Sequence, residues 1–347
     1  MSKPMKYHPH GSVLFCTFSI EEGLLLLSNP LCLAIIKSCL AAAQLLYPVT
    51  ICHLLTQATH IHMILVVRNP DHVPSFIRHF KTESAHMLNR ILGRRKRTIW
   101  CDGYDSPMVL TLRRALVAIA YLYANPAKDN LVPTIESYPG FSTWKMFRSG
   151  ILTELYTRLR RFIFRPLSPK QHNLNSYEQE AHRLSQESSE ALPFTIEPNA
   201  WMEAFKITDP AQQQRINARL LERVSHLEQR AATKRLKEKK LLIGRTRLIA
   251  QPLSLSYRPK RSGKRMWCLA DKRALRIAFI TFFKKLMATA RSVRERWRQG
   301  DTSVRYPPGL FPPSMPKLAN VFRALAYHPH HSCVLRYARG TCIFFQG

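Results

Sequence analysis

The clearest hydrophobic pattern is a β-branched and aliphatic run that follows two histidines flanking one isoleucine. Residues 59–67 read Thr-His-Ile-His-Met-Ile-Leu-Val-Val, a composition typical of a buried strand. Side chains two positions apart in a strand project from one face, so His60 and His62 should point together while Ile61 faces the other way. Two imidazoles on one face of a rigid strand can form half of a metal site.

The surrounding pattern predicts an α+β fold. Apolar and alternating segments predict strands at 12–18, 49–55 and 59–67, and longer periodic segments predict helices at 30–46 and 73–92. The second and third strands are close enough to form a hairpin. A further strand near 100–106 and a helix after it complete the series. This order indicates a ferredoxin-like antiparallel sheet with helices.

A helix predicted to start near Leu112 supplies the second group of candidate residues. Pro126 should end it, because proline disfavours helical geometry at the residue before it. Tyr121 and Asn125 are four residues apart and share a helical face, whereas Tyr123 points elsewhere. A tyrosine and an amide carbonyl near a two-histidine strand suit phosphoryl transfer by a tyrosine nucleophile.

The second half of the chain has a different composition. Residues 148–165 are predicted to extend the first domain (1–165) as a basic amphipathic helix, and the Ser-, Gln- and Glu-rich residues 166–199 are predicted to be a polar linker. Residues 200–306 predict a basic, mostly helical accessory domain with a small β element within 244–268. Residues 307–347 predict an irregular tail.

Charge narrows the class of partner. The 347 residues carry 53 Lys and Arg against 22 Asp and Glu, a net charge of +31. Such an excess indicates a polyanionic partner, with nucleic acid first and an anionic membrane second. No apolar run is long enough to span a bilayer, and the N-terminus does not resemble a signal peptide. The eight cysteines form no Cys-x-x-Cys pair, so we expect a reduced, cytoplasmic, nucleoid-associated protein.

Two dense basic runs are candidate nucleic-acid contacts. They would bind phosphates and position a strand without reading its bases, although such runs are as often simply solvated. Tyr257 and Trp267, which flank the second run, could stack on bases. The candidate phosphate contacts are Arg94, Arg95, Lys96, Arg97, Arg258, Lys260, Arg261, Lys264 and Arg265.

The ordered series of motifs resembles the HUH single-tyrosine transposases, and within them the REP-associated tyrosine transposases. The resemblance begins with His60 and His62 and continues with Tyr121, Asn125-Pro126 and Leu131-Val132. Shorter stretches at 76–81, 100–106 and 138–143 agree with it. The resemblance covers roughly residues 6–147 and does not extend to the second half of the chain.

This resemblance implies a metal-dependent single-stranded DNA endonuclease and strand transferase. Tyr121 would be the nucleophile, leaving a 5′-phosphotyrosine link, and His60, His62 and Asn125 would bind Mg²⁺ or Mn²⁺. Imidazole is a softer ligand than Mg²⁺ prefers, so Mn²⁺ should bind at least as well. The implied partner is single-stranded DNA that forms a hairpin, with no membrane and no small-molecule cofactor. A homodimer is compatible with the sequence.

Departures from the family pattern keep other interpretations open. Thr59 stands where the family has Asn, and Gly103-Tyr104-Asp105 replaces a basic Arg-Tyr-Lys. The main alternative is a domesticated, non-catalytic regulator that binds DNA or RNA hairpins. A third interpretation is an RNA-associated basic protein with a chance motif and no metal dependence. Tyr121 would then be a packed helix-end residue, and the histidines would lie on a solvated strand face.

Overall fold

The computed structural model describes residues 6–95, 97–161, 164–171, 173–187, 189–257 and 266–310. These residues form two compact units, one of residues 6–284 with 308–310 and one of residues 285–307. Everything described below lies in the first unit unless stated. Six of the nine candidate phosphate contacts lie outside the described residues, as does most of the expected C-terminal tail. They are Lys96, Arg258, Lys260, Arg261, Lys264 and Arg265.

The strands form one mixed five-stranded sheet and one separate two-stranded antiparallel sheet. They are β1 (Val13–Ser19), β2 (Thr50–Gln57), β3 (His60–Val66), β4 (Met108–Val109), β5 (Thr153–Thr157), β6 (Ala191–Thr195) and β7 (Cys268–Leu269). The sheet has the order β2-β3-β1-β4-β7, in which only the β4–β7 pair is parallel, and β5 pairs with β6. The predicted α+β class and the predicted hairpin of β2 and β3 are confirmed.

Helices cover both faces of the sheet. They are α1 (Pro30–Leu46), α2 (His72–Ile91), α3 (Leu112–Lys128), α4 (Trp144–Ser149), α5 (Leu174–Gln186), α6 (Ala200–Glu203), α7 (Pro210–Lys237), α8 (Arg245–Ile249) and α9 (Arg273–Arg298), the last of which continues into the second unit. The start of α1 is fixed by Asn29, whose side chain accepts hydrogen bonds from the backbone N–H groups of Leu31 and Cys32. Among the described residues, none of these helices is both long and apolar enough to cross a bilayer.

The alternation of β3 divides the core in two. Ile61, Met63 and Leu65 pack with α1 and α2, whereas Ile64 and Val66 pack with α3 and α7. Because strand side chains alternate between faces, His60 and His62 belong to the α3 side. The fold therefore places the histidine pair on the face that also carries the predicted nucleophile helix.

Several predictions about local structure were wrong. Pro126 does not end α3, which continues to Lys128, because a proline costs one hydrogen bond but leaves the last turn otherwise intact. The described part of 148–165 does not form the predicted helix, because α4 ends at Gly150 in a left-handed conformation and β5 follows. Within 244–268, where a small β element is predicted, residues 253–257 form only an isolated bridge, between Leu24 and Ser256, and β7 begins at Cys268. Near 100–106 the sheet has single bridges at Trp100 and Asp105 instead of a continuous strand.

The predicted polar linker also contains regular structure. Helix α5 and strand β6 both fall within 166–199. Tyr177 and Leu184 of α5 are fully buried, as is Phe194 of β6, so this segment packs on the first-half core near α1. In α9, Phe283 and Ala290 are buried, whereas Leu275 and Phe282 are exposed.

Candidate active site

The two histidines of β3 form a close pair with ordered ring orientations. Their ring centroids are 4.6 Å apart and nearly perpendicular. The Nδ1 atom of His62 is 2.9 Å from Thr17 Oγ1, and the Nδ1 atom of His60 is 3.0 Å from Thr59 Oγ1. With both Nδ1 atoms engaged by hydroxyls, the Nε2 atoms are the nitrogens available to a ligand.

Burial keeps both imidazoles neutral. Desolvation lowers the pKa of His60 to about 4. Desolvation, followed by unfavourable electrostatic interactions of a protonated ring with His60 and Lys128, holds the pKa of His62 well below its usual value. Neutral imidazoles are the form that binds metal ions. The pair is thus ready to act as a ligand at neutral pH without first losing protons.

Helix α3 brings the predicted nucleophile to the same face. Tyr121 is 44% exposed, whereas Asn125, one turn later, is buried. The ammonium of Lys128 lies over the Tyr121 ring, 3.4 Å from its centroid. The same ammonium acts electrostatically on His62, so one cation links the tyrosine and the histidine pair. Lys128 therefore lies over Tyr121 and within electrostatic range of His62.

Tyr123, the rival nucleophile, belongs to the core. It is fully buried, and its hydroxyl lies 2.9 Å from His53 Nδ1 and 3.0 Å from Thr143 Oγ1. Burial raises the pKa of Tyr123 above its usual range, which disfavours the phenolate. The predicted preference for Tyr121 over Tyr123 agrees with this difference in exposure.

The last residues of α3 are attached to the end of β2. The Gln57 side-chain amide donates to the Asp129 carboxylate just after α3, and Gln57 lies opposite His60 in the hairpin register. Desolvation raises the pKa of the Asp129 carboxyl, opposed by the Gln57 hydrogen bond and by Lys128. The Gln57 Oε1 atom is buried and has no hydrogen-bond partner among the described residues.

This donor set fits a divalent cation of intermediate softness. His60 and His62 offer two imidazole nitrogens, and Asn125 and Gln57 offer carboxamide oxygens, of which Gln57 Oε1 has no other described partner. Among the described residues there is no cluster of three His, Cys, Asp or Glu side chains. Mixed nitrogen and amide-oxygen ligation suits Mn²⁺ better than Mg²⁺.

Part of the first basic run is engaged within the protein. Arg94 forms an ion pair of 2.8 Å with Glu22, and Arg97 approaches the same carboxylate at 3.5 Å. Both also border a cleft of about 500 Å³ along α2. Near the second run, Tyr257 is 64% exposed and Trp267 38% exposed, so both rings are accessible to a ligand.

Sequence reasoning missed Lys128, Thr17 and Gln57. Lys128 could have been found, since it lies seven residues after Tyr121 and two helical turns place it on the same face. Thr17 and Gln57 follow only from the strand register, in which they lie opposite His62 and His60. A single sequence does not contain that register explicitly.

Comparison with known proteins adds one similar structure. No family model matches the chain, and no curated protein matches it. A solved structure to which it is similar is a REP-associated tyrosine transposase bound to a REP hairpin, with 19% sequence identity and a TM-score of 0.38. The match covers 43% of this chain and 86% of that chain.

Proposed function

We propose that the protein is a metal-dependent nuclease and strand transferase acting on single-stranded DNA, with Tyr121 as the nucleophile. The observation that supports this most directly is the position of Lys128, over the Tyr121 ring and within electrostatic range of His62. An exposed phenol, an adjacent ammonium and a neutral imidazole pair together supply a nucleophile, charge stabilisation and metal ligands.

The proposed reaction is an in-line displacement at phosphorus. The Tyr121 oxygen loses its proton and bonds to phosphorus, the bond from phosphorus to the 3′ oxygen breaks, and that oxygen takes up a proton. The products are a 5′-phosphotyrosine and a free 3′-hydroxyl. Lys128 stabilises negative charge on the phenol oxygen. Attack by a 3′-hydroxyl on the phosphotyrosine reverses the step, so strand joining needs no ATP.

Residues His60 and His62, with an amide oxygen from Asn125 or Gln57, would hold Mn²⁺ or Mg²⁺. A bound divalent ion would neutralise charge on the phosphate oxygens. The Thr17 and Thr59 hydroxyls orient the two rings through Nδ1. All the residues in these proposed metal-binding and orienting roles belong to the first unit.

The order β2-β3-β1-β4, with α1 and α2 on one face, supports a ferredoxin-like arrangement for the first half. The sequence resemblance implies a hairpin-forming single strand as the substrate and is compatible with a homodimer. Activity on DNA would place the protein at the nucleoid.

The direct test uses single-stranded DNA from both flanks of the gene with Mn²⁺ or Mg²⁺. We expect a denaturant-resistant protein–DNA adduct that requires the metal and disappears in Tyr121→Phe. Tyr257→Phe is the matched control, because Tyr257 is also an exposed tyrosine and phenylalanine preserves its ring. Adduct that persists in Tyr121→Phe or with chelator would contradict the proposal.

A second candidate function is a non-catalytic hairpin-binding regulator. It is favoured by the engagement of Arg94 and Arg97 with Glu22 and by Asp105 in a strand position where the resemblance implies a basic residue. This alternative predicts tight hairpin binding with no adduct under any metal. The same gel and a parallel binding titration separate the two functions.

A further inference from the structure

We propose that a cationic groove between the end of α3 and the C-terminal part of α7 binds the phosphate backbone of the single-stranded DNA that reaches Tyr121. The inference rests on the proposed function and extends it to the second half of the chain, for which the sequence resemblance implies nothing. The groove has a volume of about 340 Å³. Its charged lining residues are Lys128, Arg230, Lys234, Arg235, Glu238 and Lys240.

Core packing and hydrogen bonds within the first unit fix the walls of the groove. Helix α7 buries Leu220 and Val224 in the same core as α3, and Glu228 of α7 accepts a hydrogen bond of 2.7 Å from the backbone N–H of Ile135. After α7, the chain returns to the end of α3, where the backbone N–H groups of Ile243 and Gly244 donate to the carbonyls of Asn130 and Leu131. The walls are thus held together at both ends of the groove.

The positive charge of the groove is only partly balanced by the acidic side chain that lines it. Five of the lining side chains are cationic, and Glu238 is the one carboxylate among them. Glu238 pairs with Lys234 and Lys240, at 3.7 and 2.7 Å. No ion pair is present for Lys128, Arg230 or Arg235 among the residues that the structure describes. Three cations without an ion pair along one groove fit a polyanion and not an isolated neutral ligand.

Arg235 adds an independent observation. Its Nη1 atom is buried and has no hydrogen-bond partner among the described residues, although a guanidinium nitrogen usually has one when it leaves water. Favourable interaction with the helix dipole explains basic residues in the last turn of α7, including Lys234 and Arg235. It does not explain Arg230, which lies a turn earlier, or Lys128 on the opposite wall.

Lys128 connects the groove with the candidate active site. It lines the groove and lies over the Tyr121 ring. A strand whose phosphates follow Arg230, Lys234 and Arg235 would therefore pass Lys128 as it approaches Tyr121. A groove of this kind suits a flexible single strand, because single-strand binding proteins also guide the backbone along positively charged channels.

The test compares two triple variants of α7 that lose the same charge. The groove variant is Arg230→Gln, Lys234→Gln and Arg235→Gln. The control is Arg215→Gln, Arg219→Gln and Arg223→Gln, which changes exposed arginines on the same helix outside the groove. Both are made in full-length Tyr121→Phe protein, so binding is measured without cleavage, by fluorescence anisotropy with a single-stranded oligonucleotide across a NaCl series.

The groove variant should lower the slope of log affinity against log salt by about 2, which corresponds to roughly a hundredfold weaker binding at 0.1 M salt. The control should change affinity less than threefold. Equal losses in the two triple variants, or no loss in the groove variant, would overturn the proposal. A duplex of the same sequence should lose less affinity than the single strand, and an equal or larger loss would reject the single-strand assignment. Tighter groove-dependent binding of the matching RNA strand would reject DNA as the ligand.

Photocrosslinking makes the test independent of how the variants fold. A single strand containing 4-thiothymine is irradiated with the Tyr121→Phe protein, and the crosslinked peptides are identified by mass spectrometry. Crosslinks in residues 230–240 are expected, and crosslinks confined to residues 215–223 or to other elements would contradict the proposal. Groove-dependent binding without an adduct in the wild type would reject the proposed enzyme but retain the groove. An adduct in the wild type together with binding that does not depend on the groove would retain the proposed enzyme and reject the groove.

Discussion

Replacing Lys128 with glutamine should slow covalent attachment of DNA to Tyr121 without preventing it. The ammonium lies 3.4 Å from the ring centroid, which places it about 4 Å from charge developing on the phenol oxygen. Two unit charges at that distance attract by about 1 kcal/mol in water and about 4 kcal/mol at the effective dielectric of a protein surface. Since Tyr121 is 44% exposed, the lower part of that range applies.

A loss of about 1–2 kcal/mol in the transition state corresponds to a rate about 5–30 times slower. The assay is single-turnover formation of the denaturant-resistant adduct, with enzyme in excess over labelled DNA and at saturating concentration, so that weaker binding through the groove does not enter the rate. Lys128→Arg retains the charge and should recover most of the rate. A Lys128→Gln rate equal to that of the wild type, or an arginine variant as slow as glutamine, would refute the electrostatic role.

Three further predictions concern the surroundings of the site. Tyr123→Phe should lower the free energy of unfolding by about 1–3 kcal/mol, because it leaves His53 without its hydroxyl partner, and it should still form the adduct at low temperature. Urea unfolding measures the first effect and the adduct gel measures the second. Loss of the adduct in folded protein would contradict the assignment to Tyr121. Thr17→Val should weaken Mn²⁺ binding about 10–100-fold by removing the hydroxyl at His62 Nδ1, as measured by calorimetry, and unchanged affinity would argue against His62 as a ligand. Burial lowers the pKa of His8 and of His53 to about 3. The unfolded chain binds protons on both residues below about pH 6.5, so each histidine should lower the free energy of unfolding by about 2 kcal/mol at pH 5. Urea midpoints that stay constant from pH 7.5 to 5 would show that these histidines are not buried as neutral groups.

Local patterns predicted the elements that hold the site. The alternation in β3 identified the shared face of His60 and His62, and the four-residue spacing in α3 grouped Tyr121 with Asn125. These are short-range periodicities, which a sequence displays directly. The buried position of Tyr123 agreed with the preference for Tyr121.

Features set by long-range packing were not predictable in this way. Residues 166–199 have the composition of a linker, yet β6 pairs with β5 and buries Phe194, because the partner strand lies far away in sequence. Pro126 is a typical helix-end signal, but α3, which packs on α7 and β2, continues for two more residues to Lys128. Because the helix was predicted to end at Pro126, Lys128 was left out of the predicted site.

The location of the covalent bond to DNA shows directly whether Tyr121 is the nucleophile. Trypsin cleavage after Arg114 and Lys128 releases one peptide that contains both Tyr121 and Tyr123. After nuclease treatment of the wild-type adduct, fragmentation of this peptide by mass spectrometry distinguishes the two tyrosines. We expect a nucleotide phosphate on Tyr121. A modified Tyr123, a modification elsewhere in the chain, or unmodified peptide from protein that binds the DNA tightly would contradict it.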